Sequence, residues 1–104
     1  PSAFTQVTGH AHWHVLTRAR AIEQQCALVA AAQVGTHANG RATYGHAMII
    51  DAWGSVMDEC AGATAEVPLP SLASAAVDLT QQAEIRQKIP VADHFARSKK
   101  VINE

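Results

Sequence analysis

No apolar run among the 104 residues reaches the roughly 18 that a helix needs to cross a bilayer. With no signal-peptide pattern at Pro1 either, the reading carries no membrane contact. Charge of one sign is also lacking: eight basic residues face nine acidic ones. A near-neutral chain makes little long-range field, so no nucleic-acid partner is expected. The one basic cluster, Arg97-Ser98-Lys99-Lys100, reads as a solvated tail. Cysteine is scarce. Cys26 and Cys60 form no disulfide framework, so a reduced, soluble, cytoplasmic protein is expected.

What is present is a globular composition, 48% hydrophobic and 16% charged, enough for one small domain with a modest core. That domain is taken as residues 1–104, with 92–104 as a surface tail. Residues 1–9 mix turn formers and read as a loop. The spacing of Val15, Ala19, Ile22 and Cys26, widened by Trp13 and Leu16, predicts a helix over 11–25. Arg18, Arg20 and Glu23 lie on its polar side, where a structural ion-pair network would fix the helix.

Residues 27–34 form a short continuous apolar run, expected to be a strand covered on both faces. Asn39-Gly40 marks a turn, and a strand is predicted over 43–53. Ala52-Trp53-Gly54-Ser55 then turns the chain into a further strand at Val56-Met57, making a hairpin. After an irregular stretch over 60–71, residues 73–79 are expected to form a last strand. Residues 80–88 suit a short helix ended by Pro90. Alternation of helix and strand predicts an α/β fold.

The order of less common residues is specific. Pro1-Ser2-Ala3-Phe4-Thr5, Thr8-Gly9, Ala11-His12-Trp13 and Arg18-Ala19-Arg20-Ala21-Ile22-Glu23 resemble the segment that follows the nucleophile in nitrilase-superfamily carbon–nitrogen hydrolases. Ala32-Gln33, Gly35, His37, Tyr44-Gly45-His46, Asp51 and Trp53-Gly54 continue the match, as do Asp78-Leu79, Ile85-Arg86 and Ile89-Pro90-Val91. Ala52 departs from the pattern, standing where the family usually has Pro. Within the superfamily, the Ala-rich strand before Gln33 and the Gly-His-Ala-Met run look closest to the deaminated glutathione amidases, with the ω-amidases as the near alternative.

The resemblance implies the C-terminal portion of an αββα sandwich, incomplete on its own. It also implies a non-peptide amidase that needs no metal or organic cofactor and acts on a small carboxylate-bearing amide. In this family a glutamate is the general base, a thiolate attacks the amide carbon and a lysine helps stabilise the oxyanion. All three precede the stretch that resembles Pro1 onward. The chain alone should therefore be catalytically silent, and an upstream segment or partner chain is expected to carry the nucleophile. Phe4, Thr5 and Thr8 are the residues that the resemblance places at the substrate pocket. His12, Trp13 and Leu16 fall on a helix that it packs against a two-fold mate in a homodimer.

Two rival readings come from the residues themselves. His10, His12 and His14 alternate, and His10 and His14 have the i,i+4 spacing of ligands sharing an ion. No acidic or thiolate ligand interleaves them, and no metal is expected there. His37 and His46 read as polar residues near sheet ends. The other rival is a truncated, inactive relative that serves as an interaction or dimerisation module.

Overall fold

The computed structural model describes residues 2–62 and 71–102. The chain enters helix earlier than its periodicity predicts. Thr5, in extended backbone at φ −66° and ψ 165°, accepts a hydrogen bond from the Thr8 amide and caps α1 (Gln6–Thr8). A π turn over Gly9–Trp13 follows, and then α2 (His14–Gln24). Residues 6–9, read as loop, are helical because Thr5 supplies the cap. Gln25 ends α2 in the left-handed region at φ 49°, and its amide reaches back to the carbonyls of Ala21 and Ile22.

Five short strands follow. Of the predicted strand over 27–34, only β1 (Leu28–Ala30) forms within it, and β2 (Val34–Thr36) starts at its last residue and runs into the expected turn. The predicted strand over 43–53 is two pieces, β3 (Ala42–Tyr44) and β4 (Met48–Ile50). Between those two, Gly45 at φ 76° and His46 at φ 59° take left-handed backbone, which no strand continues through. The expected hairpin is present: β4 pairs antiparallel with β5 (Val56–Glu59). Its turn is held by the Asp51 carboxylate, which accepts from the Trp53 and Ser55 amides at 2.9 Å each.

Strand order is β1-β4-β5 in one antiparallel sheet and β2-β3 in another. The apolar run was expected to be covered on both faces; instead, Val29 of β1 is 75% exposed.

Residues 73–79 form no strand. Asp78 accepts from the Thr80 and Gln81 amides and caps α3 (Leu79–Lys88). The expected tail, 92–104, also differs. Its described part is a helix, α4 (Val91–Ile102), solvent-exposed as far as Lys100. Pro90 ends α3 and also starts α4, its carbonyl accepting from Asp93 and His94 at 3.1 Å. Part of the irregular stretch over 60–71 lies outside the described residues.

The core sits between the long helical segment and β4. Trp13, Ala21, Ala30, Met48 and Ile50 are buried, with Phe4, Leu28, Ala32 and Tyr44 packed around them. The buried stripe of the helix is Trp13, Thr17, Ala21 and Gln25, at successive four-residue steps. The predicted stripe is only partly this one: Val15, Leu16 and Ile22 are 66%, 55% and 49% exposed. Thr17 tolerates burial because its hydroxyl donates to the Trp13 carbonyl at 2.7 Å. Ala21 is small enough to let the sheet close on the helix.

Candidate functional site

The predicted pocket residues lie where the chain enters the helix. Phe4 is half-buried. Its carbonyl accepts from the Tyr44 amide at 2.9 Å, and its ring meets Trp13 with centroids 5.3 Å apart. Thr5 and Thr8 tie their hydroxyls together at 2.8 Å. Each of the three thus has a local packing or capping task in the described structure.

Trp13 is not a surface anchor. It is 7% exposed, and its indole N–H donates to the His46 carbonyl at 2.7 Å, so this member of the expected interface belongs to the core. His12 and Leu16, its two companions, are exposed. The expected network of Arg18, Arg20 and Glu23 does not form an ion pair among the described residues. Arg18 instead donates from Nε to the Gly54 carbonyl at 2.7 Å, fastening α2 to the β4–β5 turn. The reason is reach: the turn lies under Arg18, and Gly54 packs so closely there that an added Cβ would meet Ile22 at 2.6 Å.

A different set of side chains converges on one point. Glu59, at the end of β5, accepts on Oε1 from His14 Nε2 at 2.8 Å and from His46 Nδ1. His14 opens α2, and His46 stands in the left-handed link between β3 and β4. Three elements therefore meet at one carboxylate oxygen. Tyr44 completes the arrangement, with its ring 4.3 Å from that of His46 and edge-on to His14 at 6.1 Å. His10 and His12 take no part in this group.

Sequence reading placed His14 with His10 and His12, and His46 at a sheet end, but did not single out Glu59. No local signal joins these residues, since His14 and Glu59 are 45 positions apart.

Two opposed effects set the acidity of Glu59. Burial pushes its carboxyl up, while hydrogen bonds and charge from His14 and His46 outweigh that and hold it below the ordinary value. A carboxyl with a lowered folded pKa binds fewer protons folded than unfolded. Its stabilising contribution is complete above the ordinary glutamate value of about 4.3 and is lost as pH falls through the lowered one. The stability gap between the unsubstituted protein and Glu59→Gln is thus expected to narrow as pH falls below the ordinary glutamate value of about 4.3. Chemical denaturation across that range measures it, and a constant gap would contradict the hydrogen-bonded arrangement.

Elsewhere, a cleft of about 640 Å³ is lined by Ile22, Ala52, Trp53, Ile85, Ile89 and Val91, with Glu23 as the ionisable group on its rim. Its walls are apolar and hold no nucleophile. Cys26 is half-buried and Cys60 buried, and both are free thiols.

Among the described residues no helix is long and apolar enough to cross a membrane.

Comparison with known proteins accounts for this arrangement as a piece of a larger fold. Residues 1–87 match the family model described as carbon-nitrogen hydrolase. The chain is 50% identical over 94 residues to the deaminated glutathione amidase of Bos taurus, covering 90% of this chain and 27% of that protein. It is 46% identical over 94 residues to the deaminated glutathione amidase of Yersinia enterocolitica, covering 90% of this chain and 31% of that one.

Among solved structures, the NitFhit protein of C. elegans superposes with a TM-score of 0.79 at 46% identity, over 90% of this chain and 21% of that chain. Nit3 of Saccharomyces cerevisiae, a member of branch 10 of the nitrilase superfamily, superposes with a TM-score of 0.73 at 30% identity, over 86% and 31%. The chain spans about a quarter of the length of the deaminated glutathione amidase of Bos taurus. It belongs to the carbon–nitrogen hydrolase family and forms part of the α/β fold of the nitrilase superfamily.

Proposed function

We propose that the protein carrying this chain hydrolyses the amide bond of a small carboxylate-bearing substrate, of the deaminated glutathione type. The observation behind this reading is the 50% identity, sustained over 94 residues, to a deaminated glutathione amidase. A cysteine, a glutamate and a lysine outside this chain do the chemistry. The thiolate adds to the amide carbon, and the C–N bond breaks as ammonia or an amine leaves with a proton relayed by the glutamate. Water then cleaves the thioester and frees the acid. The chain contributes one wall of the pocket through Phe4, Thr5 and Thr8. Their cap and ring contacts hold the start of α1 rigid, as a pocket wall requires.

A second contribution is assembly. Val15, Leu16 and Ile22 expose an apolar strip on α2. A two-fold mate covers that strip in this reading, with His12 beside it. The complete protein is expected to cleave deaminated glutathione, freeing the amine of its dipeptide part, faster than it frees ammonia from α-ketoglutaramate, and to run as a dimer by light scattering. No release from either amide would sink the hydrolase reading and leave the interaction module. A monomer would remove the α2 interface.

A further inference from the structure

We propose that His14, His46 and Glu59 form a binding site for a zinc-class divalent cation. The three ligand atoms, His14 Nε2, His46 Nδ1 and a Glu59 carboxylate oxygen, all lie within 4.8 Å of one another. Around a tetrahedral zinc with bonds near 2.0–2.1 Å, ligand atoms stand about 3.3 Å apart. The His14–Glu59 contact of 2.8 Å and the shorter His46–Glu59 contact lie inside that separation, so the ligand atoms would move apart by about half an ångström or more around an ion. Small rotations of the side chains suffice to admit an ion.

The ligands are also held from behind. His46 stacks on Tyr44, its carbonyl is tied by the Trp13 indole, and Gly62 lies against its far nitrogen so closely that an added Cβ would collide with it. Glu59 stands in register with the buried Met48. A site whose ligands come from a helix, a strand link and a strand is organised by the fold and not by one flexible segment.

The donor set names the class of ion. Two imidazole nitrogens and one carboxylate oxygen suit zinc and its borderline neighbours, whereas calcium and magnesium take sets of oxygens. Side-chain exposures of 34%, 27% and 29% for His14, His46 and Glu59 leave the cluster open to solvent. A fourth position is thus left to water. Without the ion, Glu59 accepts N–H groups from both imidazoles. On binding, each imidazole moves its proton to its other ring nitrogen and presents the freed lone pair to the metal, and the carboxylate turns from acceptor to ligand. This site is separate from the alternating His10, His12 and His14 pattern, of which it uses only His14.

The test titrates the complete protein, stripped of metal with a chelator, with Zn2+ alone and follows heat of binding. One ion per chain is expected. His14→Ala, His46→Asn and Glu59→Gln should each weaken binding by more than the roughly 10–100-fold that loss of a ligand's outer hydrogen-bond partner costs. Asn is chosen at 46 because it tolerates the left-handed backbone there. The His10→Ala/His12→Ala double variant should bind as the unsubstituted protein does. Zn2+ should also raise the melting temperature of the unsubstituted protein and not that of Glu59→Gln. No stoichiometric binding, or binding unchanged in Glu59→Gln, would overturn the site and leave a hydrogen-bonded clasp. Loss of binding in the His10/His12 variant would overturn it in favour of the helix histidines. None of these readouts depends on amide hydrolysis.

Discussion

Trp13→Ala is expected to destabilise the protein by about 3–5 kcal/mol, the usual cost of emptying a large aromatic site in a core. The ring is 7% exposed and lies against Phe4 within the core cluster that includes Met48 and Ile50. Its loss also leaves the His46 carbonyl without the indole donor at 2.7 Å. Trp13→Phe separates the two effects. It keeps most of the packing and removes the hydrogen bond, so about 1–3 kcal/mol of the loss should remain, the cost of leaving a buried polar group unpaired. Denaturant unfolding of the complete protein gives both values. A loss of less than about 1 kcal/mol for Trp13→Ala, accompanied by a weaker dimer, would instead return Trp13 to the subunit interface.

Gly9→Ala is expected to destabilise by about 1–3 kcal/mol, the range for overfilling a packed site. The direction is informative because helix propensity alone favours the substitution by about 1 kcal/mol. Gly9 is buried at the start of the π turn with φ −62°, so its backbone does not require glycine. Its neighbour does. A Cβ there would collide with the Tyr44 ring, which is itself packed on His46 and around the core. The clash outweighs the propensity gain because Tyr44 cannot move without giving up those contacts. A shift of the denaturant midpoint with unchanged slope measures the effect. A more stable variant would mean that Tyr44 has room to yield.

Both results turn on contacts between residues far apart in the chain, and there the sequence and the structure part company. Local signals were legible. The helical periodicity of 11–25 located α2, and the turn at Ala52–Ser55 located the β4–β5 hairpin, because a glycine acts on its immediate neighbours. The ordered set of residues from Pro1 to Val91 identified the family, and the match over 1–87 bears that out.

Boundaries were less legible. The Thr5 cap, the left-handed link at Gly45 and His46, and the start of α4 at Pro90 depend on single dihedral angles that a periodic pattern does not contain.

The sequence by itself thus determined the family, the α/β class and the position of the main helix. The tertiary structure decided which face of that helix is buried. Apolar residues occur on two sides of it, and β4 closes over Trp13, Thr17 and Ala21 while leaving Val15, Leu16 and Ile22 outside. It likewise decided that His14, His46 and Glu59 share one oxygen's surroundings. No spacing rule brings together residues of a helix, a strand link and a strand, because their approach is set by how those elements pack and not by any periodicity within them.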